Sequence, residues 1–354
     1  MGAPSTAILC VALNEQPFAR EWLDYHLRLG FERIYFVLTD SDASAALDYY
    51  TGLNFGDRVE FFHFSDCEHG WQNRLYSEFV DEIKEDWLLV LDLDEFLYLH
   101  EAPSIGDYLK GFPPHIRQVQ FPWMNMFSLD YLHRDVLGAA ATMPCYASNH
   151  VKSIAYRSQI RGVGVHYHPI GDAASCLSSG EEVQPESYHR VFVEQPDYYQ
   201  HHAFVIHAAS RGHLDTLCRI VAQRFHDPKC GELERKRLRS LLCGRARGAN
   251  LPNRYLHGKI QQSFPRVEVT LRLAAGLPKT DLDELLAIFL RNIRSIVDFH
   301  CDHLSSVAPA FEERFMLNEK LKRLDIRGHV SIEEAVSELT QDDYARQLRR
   351  RLGW

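Results

Sequence analysis

The sequence predicts an α/β protein: a mostly parallel mixed sheet with helices on both faces, continued by an α-helical C-terminal extension. Strand-like and helix-like patterns alternate over the first hundred residues, an arrangement that builds parallel sheets. Polar residues recur directly after each apolar run, and beyond Asp215 the apolar spacing is mainly helical. The 354 residues, 45% hydrophobic and 25% charged with a net charge of −9, are enough for two cores and exclude disorder as the main state.

Ala7 to Val11 is a short apolar run. Pro17 then opens a segment with Phe18, Trp22, Tyr25 and Leu29 at helical spacing, which Gly30 ends. Arg33 to Leu38 and Val59 to Phe64 read as buried strands and Gln72 to Ile83 as a helix. Trp87 to Leu91 is a further strand that runs directly into Asp92-Leu93-Asp94-Glu95. From Gln118 to about Ala208 the pattern changes to short strands and loops rich in His, Gly and Pro. Pro278 to Phe299 is the clearest later helix, with Leu282, Leu285, Leu286, Phe289, Leu290 and Ile293 on one face; Ser331 to Leu339 and Tyr344 to Leu352 follow.

No run of about 18 apolar residues occurs, so no membrane span is expected. Met1 to Thr6 lacks the features of a signal peptide, and the expected compartment is the cytoplasm. The eight cysteines are scattered singly with no Cys-x-x-Cys pair, which predicts reduced, mostly buried thiols. Net negative charge argues against nucleic-acid binding. One stretch departs from it: Arg219 to Arg266 holds twelve basic residues against three acidic ones. This local excess suggests an anionic partner, either a diphosphate or a membrane surface met peripherally at its inner face. Contact with a second copy of the chain, or a plain solvated basic helix, are the alternatives.

Ligands of open α/β sheets bind beyond the carboxyl ends of the strands. The polar residues at those ends are Asn14 and Glu15, Asp40 and Ser41, Ser65 and Asp66, and Asp92 and Asp94. The last pair is the strongest single feature. Two carboxylates separated by one residue would share a face of a regular strand, and hard oxygen ligands at that spacing suit Mg²⁺ or Mn²⁺. Such an ion would neutralise charge on a departing nucleoside diphosphate. The plainer reading is that strand-end carboxylates only cap a turn.

Asn14-Glu15, then Arg20 to His26 (REWLDYH), then Leu29-Gly30-Phe31 and the apolar strand ending at Asp40, resemble in order the opening of family 2-like glycosyltransferases and the related family 92 group. The order continues with Gln72 and with Trp87 to Phe96, a Trp-led strand ending in Asp-x-Asp-Glu-Phe. Pro122-Trp123 with Phe127, Val151-Lys152-Ser153-Ile154, His166 and His207-x-x-Ser210-Arg211 resemble later landmarks. The resemblance covers roughly residues 7 to 220. It implies a GT-A domain over 1–215, with a nucleotide-binding half (1–100) and an acceptor half (101–215), ahead of a basic and helical region over 216–354.

The resemblance further implies a nucleotide-sugar donor, often UDP-linked, and a glycan or glycolipid acceptor. Asn14, Glu15 and Asp40 would lie near the nucleoside, with Gln72 and Asp92 also on the donor. Asp92, Asp94 and His207 would hold Mn²⁺ or Mg²⁺, an imidazole tilting preference towards Mn²⁺. Lys152 and Arg211 could balance diphosphate charge. Inverting transfer by direct displacement needs a base for the acceptor hydroxyl. The region after Trp123 offers Asp130, Asp135, Asp172, Glu181, Glu182 and Glu186, among which the sequence does not choose; Asp130 is placed first because it follows Trp123, with His166 as the weaker alternative. The sequence departs from the group in lacking the small Gly after the Trp-x-x-Phe landmark, with Met124, Asn125 and Met126 between Trp123 and Phe127, and at Ala208, where an aromatic is usual.

Two other readings compete. Leu-Val-Leu-Asp-Leu-Asp-Glu also resembles the nucleophile strand of haloacid dehalogenase-like phosphatases, but Phe96 stands where that family has Thr, and three predicted strands precede the motif rather than none. A non-catalytic nucleotide- or carbohydrate-binding module would use the same aromatics, Trp71, Trp123, Tyr198 and Tyr199, for sugar stacking.

Overall fold

A computed structural model describes residues 4–40, 43–64, 71–100, 102–127, 135–142, 145–183, 198–211, 266–267 and 288. The chain divides into two units, one of residues 1–127, 135–209 and 260–280, the other of 128–134, 210–259 and 281–354. The expected helices at 278–299, 331–339 and 344–352 lie outside the described residues, apart from helical Ile288. No helix among the described residues is long and apolar enough to cross a membrane.

Strand β1 (Thr6–Ala12) is buried along its whole length. It is flanked by β2 (Arg33–Leu38) and β4 (Trp87–Val90), both parallel to it, and β3 (Val59–His63) extends the parallel set beyond β2. A strand covered on both faces has no polar side to show, which is why these segments read as near-continuous apolar runs. The order β3-β2-β1-β4 reverses at β1. Such a reversal opens a crevice beyond the carboxyl ends of the two strands beside it, here β1 and β4, which are followed by Asn14-Glu15 and by Asp92.

The other half of the sheet is antiparallel. β7 (Cys145–Tyr156) pairs with β4, and β6 (Ile116–Phe127) with β7. β10 (Phe204–Ser210) and β5 (Glu95–Tyr98), paired with each other, complete the path. Small strands β8 (Ala174–Leu177), β9 (Glu182–Val183) and β11 (Arg266–Val267) attach at its margin. Short strands and loops were the expectation here, yet β6 and β7 each run twelve residues. The register of β6 shifts between Pro122 and Met124, which breaks the two-residue alternation, and β7 carries a lysine in mid-strand.

Helix α1 (Gln16–Arg28) decides where β5 lies. Its Pro stands at the first turn, and Gly30 at φ +98° closes it, in contact with Ser104 so close that a Cβ would meet that residue at 2.8 Å. The buried face of α1 then does for β5 what a further strand would do. Trp22 Nε1 donates to the Glu95 carbonyl (2.7 Å), Tyr25 Oη to the Leu97 carbonyl (2.7 Å), and the Leu97 N–H donates to His26 Nε2 (3.3 Å). Backbone groups on an otherwise open edge are thereby satisfied. The remaining helices are α2 (Ala43–Gly52), α3 (Trp71–Phe79), α4 (Ile105–Leu109), α5 (Val136–Thr142) and α6 (Tyr198–His201). Helix α3 ends before the expected Ile83, in a 3₁₀ turn over Val80–Glu82. Cys10, Cys145 and Cys176 are buried free thiols.

Glu21 on α1 is buried, and its two carboxylate oxygens accept the Val136 and Leu137 N–H groups, both at 2.9 Å, at the start of α5. Burial raises its pKa from 4.5 to about 7, against the pull of those two bonds. A folded value above the unfolded one means that this contribution is complete below about 4.5 and is lost as pH rises to about 7. Glu21→Gln does not titrate, so any stability advantage of the native chain over the variant should shrink across that window by about 2–3 kcal/mol. Urea denaturation at the two pH values measures this; a constant difference contradicts it.

Candidate functional site

Past Leu91, the chain after β4 does not continue the strand. Glu95 N–H donates to the Asp92 carbonyl (3.0 Å), and Asp92 N–H donates to Glu95 Oε2 (2.9 Å), so Asp92-Leu93-Asp94-Glu95 is a closed turn into β5. Asp92 and Asp94 therefore do not share the face of an extended strand, as their spacing alone suggested. The turn sends the two carboxylates to different partners.

Asp92 belongs to Lys152. The lysine Nζ lies 2.9 Å from Asp92 Oδ2 and 2.9 Å from Glu95 Oε2, with no exposed side-chain surface on either Lys152 or Glu95. Tyr76 Oη adds a bond to Asp92 Oδ1 (3.1 Å). Burial alone would lower the ammonium pKa, but Asp92 and then Glu95 outweigh it and hold it above its ordinary value. The Glu95 carboxyl is pushed well above the usual carboxylate range by burial, with Lys152 opposing and Asp92 and Asp94 adding to the push. Lys152, expected either to balance diphosphate charge or to be a surface cation, is not on the surface: it is buried on β7 and paired with Asp92 and Glu95.

Asp94 belongs to His207. Strand pairing sets His207 opposite Glu95, and Ala208 N–H donates to the Asp94 carbonyl (2.7 Å). The imidazole Nε2 lies 3.4 Å from Asp94 Oδ2. Ligand atoms of Asp94, Glu95 and His207 all fall within 4.8 Å of one another. Glu95 Oε1 is buried with no hydrogen-bond partner, an orphaned acceptor of the kind a cation satisfies. Two carboxylates and one imidazole suit Mn²⁺ better than Mg²⁺. Glu95 is the member of this group that sequence reasoning missed: it was read as part of the motif but not as a ligand.

Trp123 and Asn125 on β6 flank the imidazole. The rings of Trp123 and His207 are 4.1 Å apart, and His207 Nδ1 lies 2.8 Å from Asn125 Oδ1. His150 stacks on Trp123 at 5.2 Å, and His166 meets it edge-on at 5.0 Å. His166, expected as a base, is thus joined to the site through Trp123. Its Nδ1 is bonded to the Val151 carbonyl (3.0 Å), and burial, helped by Lys152, lowers its pKa to about 4.

The remaining expected residues divide into three groups. Asn14, at φ +55°, a conformation asparagine tolerates better than most residues, donates its N–H to Asp40 Oδ1 (3.0 Å), which also accepts from Gln16 Nε2 (2.6 Å). Asp40 and Glu15 are buried, and burial raises Asp40 to about 6 against the bonds from Gln16 and Asn14. These residues form the β1–β2 part of the same carboxyl edge. Arg211 is buried but falls in the second unit. For Gln72 the backbone alone is described, within α3, and Asp130 and the basic stretch up to residue 265 lie outside the described residues.

No protein-family model matches the chain, and no curated protein matches it in sequence. Solved structures do show likeness. TarS 1–349 of S. aureus matches at 8% identity and TM-score 0.35 over 91% of each chain. The mannosyltransferase PcManGT of Pyrobaculum calidifontis, solved with GDP-Man and Mn²⁺, matches at 13% identity and TM-score 0.34, over 73% of this chain and 80% of that one. Glucosyl-3-phosphoglycerate synthase of Mycobacterium tuberculosis, solved with Mn²⁺, UDP and glucosyl-3-phosphoglycerate, matches at 13% identity and TM-score 0.28, over 44% of this chain and 58% of that one. Likeness this slight leaves function to be argued from the site's own residues.

Removing the ammonium of Lys152 would strand the buried carboxyl group of Glu95 and take the cation from the partly exposed Asp92. Lys152→Met should cost about 3–5 kcal/mol in urea denaturation, and adding Glu95→Gln should recover part of that loss because one orphaned carboxyl disappears. A cost below about 1 kcal/mol would show that the ion pair is dispensable.

Proposed function

We propose that the chain is a metal-dependent glycosyltransferase of the GT-A type. It moves a sugar from a nucleotide-sugar donor, UDP-linked in this reading, to a glycan or glycolipid acceptor, with inversion by direct displacement. The observation that supports it is the grouping of Asp94, Glu95 and His207 after β4, on the edge where the strand order reverses and where Asn14 and Asp40 already meet. In this reading Mn²⁺, when bound there, supplies Lewis-acid neutralisation of the diphosphate leaving group.

The chain's own residues supply the rest. Asp40 and Asn14 face the nucleoside end of the donor. Asp94 and His207 hold the cation, with Glu95 as the third ligand in place of the Asp92 that spacing alone put forward. Asp92 stays with Lys152, which keeps the turn closed and prevents the carboxylates from repelling one another. In the reaction the bond between the anomeric carbon and the diphosphate oxygen breaks, the acceptor oxygen bonds to that carbon, and its proton passes to a base. A histidine held near pKa 4 is a weak base at neutral pH, which leaves Asp130 as the proposed base ahead of His166. The phosphatase alternative gains nothing from the geometry: Phe96, at the position where that family has Thr, is wholly buried, and its motif follows the fourth strand of the chain.

Calorimetry with UDP, GDP and CMP, each with and without Mn²⁺, tests the proposal. One nucleotide should bind only in the presence of the metal, and Asp94→Asn should weaken that binding at least tenfold, about 1.4 kcal/mol. Binding of none of them under any condition would sink the enzyme reading.

A further inference from the structure

We infer that Asn125 is a positioning residue that selects the tautomer of His207 and so turns its metal-binding nitrogen towards Asp94. The inference rests on the reading of Asp94, Glu95 and His207 as a cation site, and goes beyond it by naming what holds the imidazole ready. A neutral imidazole has one N–H and one lone pair. The Asn125 Oδ1 atom, 2.8 Å from Nδ1, is an acceptor, so the proton sits on Nδ1. The lone pair then resides on Nε2, which faces Asp94 Oδ2 at 3.4 Å. Two acceptors facing each other at that distance repel unless a cation lies between them. That is the arrangement a metal site needs before its metal arrives.

Two residues of β6 act on the ring, Trp123 through its own ring and Asn125 through its amide oxygen. The tilted contact with Trp123, centroids 4.1 Å and planes 34° apart, restricts the plane of the imidazole but leaves it free to flip. The bond to Asn125 removes that freedom.

The test uses ¹⁵N-labelled protein, the His207 signal being assigned by its loss in His207→Gln. In the metal-free native chain the imidazole shifts should report the Nδ1–H form. Asn125→Leu, similar in size but without the acceptor, should shift the population to the Nε2–H form and weaken Mn²⁺ binding, followed by electron paramagnetic resonance of the free ion, by about 10–100-fold. Asn125→Asp, which keeps the acceptor, should restore the Nδ1–H form and bring Mn²⁺ affinity back to at least the native level. An Nε2–H form in the native chain, or unchanged tautomer and affinity in a folded Asn125→Leu chain, would overturn the inference. A native chain with the Nδ1–H form that binds no Mn²⁺ would instead overturn the cation site beneath it, and the intact tautomer signal tells the two failures apart.

Discussion

Lys152 carries a full charge where no water reaches it, and the arrangement of the site follows from how that charge is matched. Its Nζ takes one oxygen of Asp92 and one of Glu95, each at 2.9 Å, and both acceptors belong to a single four-residue turn. A buried ammonium without partners would lose its proton or unfold its surroundings. The turn after β4 is therefore held closed by the lysine as well as by its own hydrogen bonds, and Asp92 is committed to that lysine. What remains for a ligand is Asp94 and the second oxygen of Glu95, both buried.

From that constraint the other pieces take their places. Helix α1 satisfies the free edge of β5 with Trp22, Tyr25 and His26, which anchors Glu95 by its backbone. β10 completes the pairing on the other edge of β5 and brings His207 opposite Glu95. Trp123 and Asn125 then fix the ring. The site is thus built from residues scattered over more than a hundred positions: Glu95, Trp123, Asn125, Lys152 and His207 are carried by strands, and Asp94 by the closed turn between two of them. Elements of that kind hold ligand groups more tightly than loops do.

The parallel half of the sheet was legible in the sequence because its strands are buried on both faces and leave unbroken apolar runs. Helix α1 was legible too, through the spacing of Phe18, Trp22, Tyr25 and Leu29 and the stop at Gly30. The antiparallel half was not. Pro122 with its register shift hides β6, and Lys152 in the middle of β7 looks like a surface residue until Asp92 and Glu95 are set beside it. Asp92 and Asp94 were visible as chemistry, but their division of labour was not, since it depends on a turn that spacing reads as a strand. Glu95 and Asn125 were beyond pattern reading for one reason: each acquires its role from a partner far along the chain, at Lys152 and at His207.

Crystals soaked in Mn²⁺ and measured at the manganese absorption edge would locate the ion. One anomalous peak bounded by Asp94, Glu95 and His207 is expected, with Lys152 still bonded to Asp92. A peak ligated by Asp92 with Lys152 displaced, or no peak at this turn, would contradict that placement.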